Sequence, residues 1–305
     1  MNNQVKLAII TITITIPLIS FAVFSSDSNQ FKNTNESKLQ VVSSFYPLHE
    51  FSQNVGQEKA DVKSLVPVGV EPHDWEPTIK DVQQMQKSDL IIINGIGFES
   101  WIDKLHEINY QGVIVDTSNG IIIKNMNEES SIQEHVNESG DPHIWLNPAF
   151  AKIQVQNIAN AFSNSDPENR QYFQENAANY IDKLDLLDSK IRNELSGCSH
   201  DFIAFHHAFS YFADEYNLTQ HTIIPSYAPH TEPTAKTLEN VINKAKQLNL
   251  KVIFTEETVD PKTAQVIASE IGGKILVLSP LEIGDDETYI SKMTENLNHL
   301  KEALC

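Results

Sequence analysis

Leu90-Ile91-Ile92-Ile93-Asn94 decides the class of fold. Consecutive aliphatic side chains with no polar alternation leave neither face of a strand for water. That is the pattern of a strand buried on both sides in a parallel sheet. The surroundings agree. Thr78-Ile79-Lys80-Asp81 upstream reads as a helix start with a carboxylate in its first turn, the helix ending before Asp89. Downstream, Trp101 to Ile108 reads as helical and Val113-Ile114-Val115-Asp116 as the next strand. Further out, Leu39 to Phe45 is a β-rich run, a helix opens at Tyr46-Pro47, and Val62 to Val66 is another strand. Strands alternating with helices predict βαβ units and an α/β fold with parallel sheets.

The second half repeats this style. Asp201 to Phe205, Thr219 to Ile224, Lys251 to Thr255 and Lys274 to Leu278 read as strands. The intervening helices are predicted to start at His206, over Thr234 to Gln247 and over Pro261 to Ile271, with Gly272-Gly273 behind the last of these and Asp286 to Leu304 closing the chain. Between the halves lies the longest predicted helix, 167–196. Asp166 is its N-cap and Pro167 suits its first turn. Its apolar residues Tyr172, Phe173, Ala177, Tyr180, Ile181, Leu184, Leu187, Ile191 and Leu195 follow a period of 3.6, with Asp188 as a polar break. About 30 residues at ~1.5 Å each make roughly 45 Å, enough to run along two domains and join them stiffly. A helix in an all-α bundle is the other use of such a stripe, and the flanking strands argue against it.

The chain has 305 residues, room for two ordinary domains. Lys and Arg total 22 against 41 Asp and Glu, a net charge of -19, which argues against nucleic acid as a partner. Leu7 to Phe24 carries no charge and follows Lys6, so residues 1–25 read as a secretory signal or an uncleaved N-terminal anchor. With no cysteine near it, a lipid anchor is not expected. Residues 26–37 read as a polar tether, and the folded part is placed outside the cytoplasmic membrane. Cys198 and Cys305 are the only cysteines; in an exported chain they form one disulfide or remain two incidental thiols. Residues 124–140 are polar and acidic and contain His135, the composition of a mobile loop.

Asp141-Pro142-His143-Ile144-Trp145-Leu146-Asn147-Pro148 pins a histidine between prolines, a stiff turn from which Pro148 opens a helix. His73 sits in a proline-rich loop after a strand, and His206 directly follows another strand. Open α/β sheets bind ligands at the carboxyl ends of their strands. Three such histidines meeting in a cleft suit Zn²⁺, for which neutral imidazole is a good ligand. Their separations of 70 and 63 residues exclude a small zinc knuckle. The bland alternative for each is a packed or loop histidine. That reading is given to His49, His106, His200, His221 and His299, while His207 and His230 are placed near the cleft.

Gly69-Val70-Glu71-Pro72-His73-Asp74-Trp75-Glu76-Pro77, the 141–148 turn and His206-His207-Ala208-Phe209-Ser210-Tyr211-Phe212 resemble the three histidine motifs of the zinc/manganese solute-binding proteins of ABC transporters (the cluster A-I metal-binding family). Glu232-Pro233, Ile253-Phe254-Thr255-Glu256 and Leu278-Ser279-Pro280-Leu281 are similar to the rest of that family, so the likeness covers nearly all of residues 39–304, in order. It implies two small α/β lobes, 38–164 and 198–305, joined by one rigid backbone helix in 165–197, with one metal ion in the interlobe cleft. It also implies a non-enzymatic, extracytoplasmic and monomeric protein that delivers Zn²⁺, less readily Mn²⁺, to an ABC permease, tied to the membrane if the N-terminal segment is uncleaved. His73, His143 and His206 are the implied ligands. Manganese-type members carry a carboxylate where His206 stands.

Two departures stand out. The family commonly has Asp, often the fourth ligand, where Ser279 stands. Water, Glu256, Glu257 or Glu282 is left to fill that place. The 124–140 loop lacks the run of histidines found in many zinc-type members. A surface adhesin on the same scaffold is the rival reading. A metallohydrolase is a weaker one, because the chain has no His-Glu-x-x-His.

Overall fold

The computed structural model describes residues 38–107, 109–124, 140–229 and 232–305, with residues 106 and 107 described by their backbone alone. The N-terminal segment and tether, His135, His230 and the side chain of His106 lie outside the described residues. Among the described residues no helix is long and apolar enough to cross a membrane.

In the first half, β1 (Leu39–Ser43), β2 (Ala60–Ser64), β3 (Leu90–Ile93) and β4 (Val113–Asp116) form one parallel sheet in the order β2-β1-β3-β4. All residues of β3 are buried, as its unbroken apolar run requires. Helices α1 (Tyr46–Gly56), α2 (Ile79–Met85) and α3 (Asp103–Glu107) connect the strands. The start of α2 is fixed by a reciprocal cap, Thr78 accepting from the Asp81 amide while Asp81 accepts from the Thr78 amide. Helix α3 is shorter than the predicted 101–108, Trp101 and Ile102 forming a turn before it.

Helix α4 (Pro148–Ser165) follows, with the Asn147 side chain accepting from the Ala149 amide at its start. Helix α5 (Arg170–Glu194) is the long one. Its first turn is a separate 3₁₀ turn, Pro167–Asn169, because the Asp166 side chain holds the Asn169 amide ahead of the helix. The 25 α-helical residues span roughly 37 Å at ~1.5 Å each, somewhat less than expected. Phe173, Ala177, Tyr180, Leu184, Leu187 and Ile191 are buried along one stripe, as the periodicity predicts. Asp188 interrupts that stripe to accept from the Tyr216 hydroxyl at 2.9 Å. The helix packs on α1 and α4 of the first half and on the C-terminal α9 (Tyr289–Leu304) of the second.

The second half contains β5 (Asp201–Ala204), α6 (Ser210–Glu215), β6 (Thr219–Thr222), α7 (Ala235–Gln247), β7 (Val252–Thr255), α8 (Lys262–Ile271) and β8 (Lys274–Val277) before α9. β5 pairs with β6 and β7 with β8, all parallel, and β5 lies beside β7. The second half thus carries two two-stranded parallel ladders side by side, where the first half carries one four-stranded sheet. Gly272 closes α8 with φ of 59°, a left-handed position that suits glycine. The expected helix at His206 begins only at Ser210. The His206 amide is bound by Glu256 and the His207 amide by the Ser226 carbonyl, so both are spent outside a helix. Cys198 and Cys305 are disulfide-bonded. The largest core cluster runs from β1 through α5 to α9, so one apolar interior serves both halves.

Candidate metal centre

Strand ends supply the site. His73 lies in the loop after β2, His206 follows β5 and Glu282 follows β8. His143 comes from the stiff turn ahead of α4, where Pro142 accepts a 2.8 Å hydrogen bond from the Asn94 side chain and Ile144–Leu146 form a 3₁₀ turn. Glu282 is presented by a turn in which Leu281 takes the left-handed conformation, φ 57°. The Leu281 amide donates to Ser279 Oγ at 3.1 Å and Asn296 grips the Ser279 backbone, which holds this costly conformation in place.

One ligand atom from each of His73, His143, His206 and Glu282 lies within 4.8 Å of the other three. Glu282 Oε1 is 3.1 Å from His73 Nε2, 3.3 Å from His143 Nε2 and 3.6 Å from His206 Nε2. The Nε2 atoms of His143 and His206 are 3.3 Å apart. Ligands at ~2.0–2.1 Å around tetrahedral Zn²⁺ sit roughly 3.3–3.4 Å from one another. These four separations are close to the edge lengths of such a tetrahedron. His143, His206 and Glu282 are buried, and the rings of Phe98 and Trp145 wall the site, 4.9 Å from His73 and 5.1 Å from His143.

Behind the ligand atoms stands a set of carboxylates. Asp141 Oδ1 is 2.7 Å from His143 Nδ1, and Glu256 Oε1 is 2.6 Å from His206 Nδ1. A carboxylate oxygen accepts, so each Nδ1 carries a hydrogen and Nε2 is the atom left for a metal, which must displace any proton held there. The same oxygens also accept from the backbone amides of His143 and His206, at 3.0 and 3.2 Å. Glu71 Oε1 does this for the His73 amide at 3.0 Å. Burial opposes charge on His206, but Glu256 and then Glu282 outweigh it and raise its pKa to about 10. Burial likewise opposes charge on His143, yet Asp141 and Glu282 hold its pKa above the usual value. For His73 burial wins over Glu282, and its pKa is lowered. Glu282 is kept well below the usual carboxylate range: burial works against its charge, and the three histidines overcome it. Glu71 is pushed up to about 8 by burial and by Glu282.

The structure brings the three expected histidines together with Glu282. Glu256 is not in that group; its Oε1 is bound to His206 Nδ1, on the far side of the ring from Nε2. Glu257 is exposed, 3.9 Å from Lys292. Ser279 shapes the turn that carries Glu282. His207 is not in the ligand group among the described residues. His200, His221 and His299 are each held locally, by the Asn217 carbonyl, Asp201 and the Val277 carbonyl. His49 is half-buried in α1. What sequence reasoning missed is the orienting role of Asp141 and Glu71. The signal was present: acid-Pro-His occurs twice, at 71–73 and at 141–143.

The sequence profile of a family described as the periplasmic zinc-uptake complex component A matches residues 41–303. The high-affinity zinc uptake system protein ZnuA of Bacillus subtilis is 38% identical, with 94% of each chain covered. The zinc-binding lipoprotein AdcA of Streptococcus pneumoniae is 33% identical over 88% of this chain, which spans only 56% of AdcA. The crystal structure of the Zn(II)-bound ZnuA-like domain of that AdcA superposes with a TM-score of 0.76 at 32% identity, covering 87% of this chain and 98% of that domain.

Proposed function

The chain belongs to the periplasmic zinc-uptake component A family, and on that premise we propose that it captures Zn²⁺ outside the cytoplasmic membrane through His73, His143, His206 and Glu282 and hands it to an ABC permease. It is a binding protein and not an enzyme, and Zn²⁺ is its cargo. The four converging ligand atoms carry this reading. Three imidazoles and one carboxylate form a compact, low-coordinate set that suits Zn²⁺. Mn²⁺ prefers harder oxygen sites and stands lowest in the affinity order. The relatives named above are zinc-uptake and zinc-binding proteins, which favours neither the adhesin nor the hydrolase reading. We further propose lobes at 38–164 and 198–305 joined by 165–197, and a monomer held at the outer membrane face by residues 1–25 where that segment is retained.

Calorimetric titration of the apo-protein with Zn²⁺ tests the site. One ion per chain is expected. His73→Ala, His143→Ala and His206→Ala should each weaken binding by well over ~10-fold, each removing one bond to the metal, while His299→Ala should not. Any of the three that binds like wild type does not belong to the site. Displacement of Zn²⁺ by Mn²⁺ at comparable concentration would overturn the choice of metal.

A further inference from the structure

His143 and Glu282 come from opposite halves of the chain, yet their ligand atoms stand 3.3 Å apart. Trp145, two residues beyond His143, is fully buried and is fastened to the second half at both of its polar ends. Its indole Nε1–H donates to the Pro280 carbonyl at 2.8 Å, and Pro280 is two residues ahead of Glu282. Its backbone carbonyl accepts from the Tyr289 hydroxyl at 2.6 Å. Tyr289 is itself fully buried at the start of α9. Its backbone amide donates at 2.6 Å to Glu50 Oε2 on α1, and a helix N-terminus is a favourable place for such a carboxylate. The other oxygen of Glu50 accepts from Tyr180 of the long helix at 3.0 Å. A line of hydrogen bonds thus leads from Tyr180 on the long helix, through Glu50, Tyr289 and Trp145, to the turn that presents Glu282.

We propose that Tyr289 is a positioning residue for the metal site: with Trp145 it clamps the His143 turn to the Pro280–Glu282 turn and so sets Glu282 at ligand distance from the histidines. The inference rests on the zinc-binding reading above. Tyr289 touches no ligand atom and acts through Trp145. Two stiff bonds at one residue leave little freedom for the two turns to separate, and metal sites gain affinity from ligands held in place before the ion arrives. Coupling of this kind is reciprocal: if the clamp favours zinc, zinc favours the clamp.

A double-mutant cycle read by zinc affinity separates positioning from mere support. Tyr289→Phe keeps the ring packed against Phe51, whose centroid is 5.1 Å away, and removes only the hydroxyl. It should weaken Zn²⁺ binding tenfold or more in the wild-type background. In the Glu282→Gln background it should weaken binding less than twofold, because the ligand it positions is already lost. Tyr180→Phe, which removes a hydroxyl from the same Glu50 without touching Trp145, should change affinity less than twofold. Equal losses in both backgrounds, no loss in the wild-type background, or an equal loss from Tyr180→Phe would each overturn the proposal. The unmutated protein gives an independent reading. Exchange of the Trp145 indole hydrogen should slow at least tenfold when zinc binds, and an unchanged rate would count against the clamp. A wild-type chain that fails to bind zinc at all would instead remove the functional reading on which the clamp depends.

Discussion

His206 illustrates how a side chain is tuned by what stands behind it. Glu256 fixes its tautomer and, with Glu282, raises its pKa to about 10, so at neutral pH the apo-site holds a proton that the metal must displace. Below a pKa of about 10 the proton competes with the metal, so zinc affinity should climb about tenfold per pH unit from roughly 7 to 9 and level off near 10. The free-histidine value of about 6.5 would place that plateau much lower. Titrations in two buffers of different ionisation enthalpy report the released proton, and a binding enthalpy independent of buffer at pH 7 would contradict the assignment. Glu256→Gln keeps the shape but removes the charge. It should cost about 10–100-fold in zinc affinity, the usual effect of losing a ligand's orienting partner, and should move the affinity plateau to lower pH. The three histidines of the candidate site were legible because each follows a strand or lies in a proline turn. Glu282 was legible only as one of several carboxylates, since its place depends on the left-handed Leu281, which no residue type announces.

Elements were read well where their pattern is local. The reciprocal Thr78/Asp81 cap, the Asn147–Pro148 helix start and the stripe of α5 each follow from residues a few positions apart. The shortfalls occurred where other acceptors claim backbone amides first: a local side-chain cap at Asp166–Asn169, and tertiary bonds to Glu256 and Ser226 at His206–His207. The stripe of α5 also separates two neighbouring leucines by consequence. Leu184 is fully buried, whereas Leu186 is 72% exposed. Leu184→Ala should destabilise the fold by about 2–5 kcal/mol through lost burial and the cavity left behind. Leu186→Ala should stay within about 0.5 kcal/mol. Urea unfolding of the two variants distinguishes them, and similar midpoints would mean that α5 is not packed along the stated stripe.

On the scale of the whole molecule, loops that follow parallel strands in both halves bring His73, His206 and Glu282 together with His143, and α5 packs on helices of both halves. The α/β class was evident in the alternation of strands and helices. The lobe arrangement needed the resemblance to a family, because contacts such as Trp145 to Pro280 span 135 residues and leave no local trace. The cysteines admitted two readings for the same reason. They pair, closing a loop of sequence separation 107 that contains nearly all of the second half. In the chain-entropy account a loop of that length stabilises by about 4.7 kcal/mol, by restricting the unfolded chain. The bond should therefore matter greatly for unfolding and little for zinc, since metal binding compares two folded states. Zinc at a hundred times its Kd adds about 2.7 kcal/mol of stability when it binds the folded chain alone. That increment should be the same with the disulfide intact or replaced by Cys198→Ser/Cys305→Ser. Urea unfolding of both forms, each with and without zinc, should thus show two large shifts that add. A disulfide-free protein whose zinc increment falls by half would mean that the bond shapes the metal site itself rather than the unfolded chain.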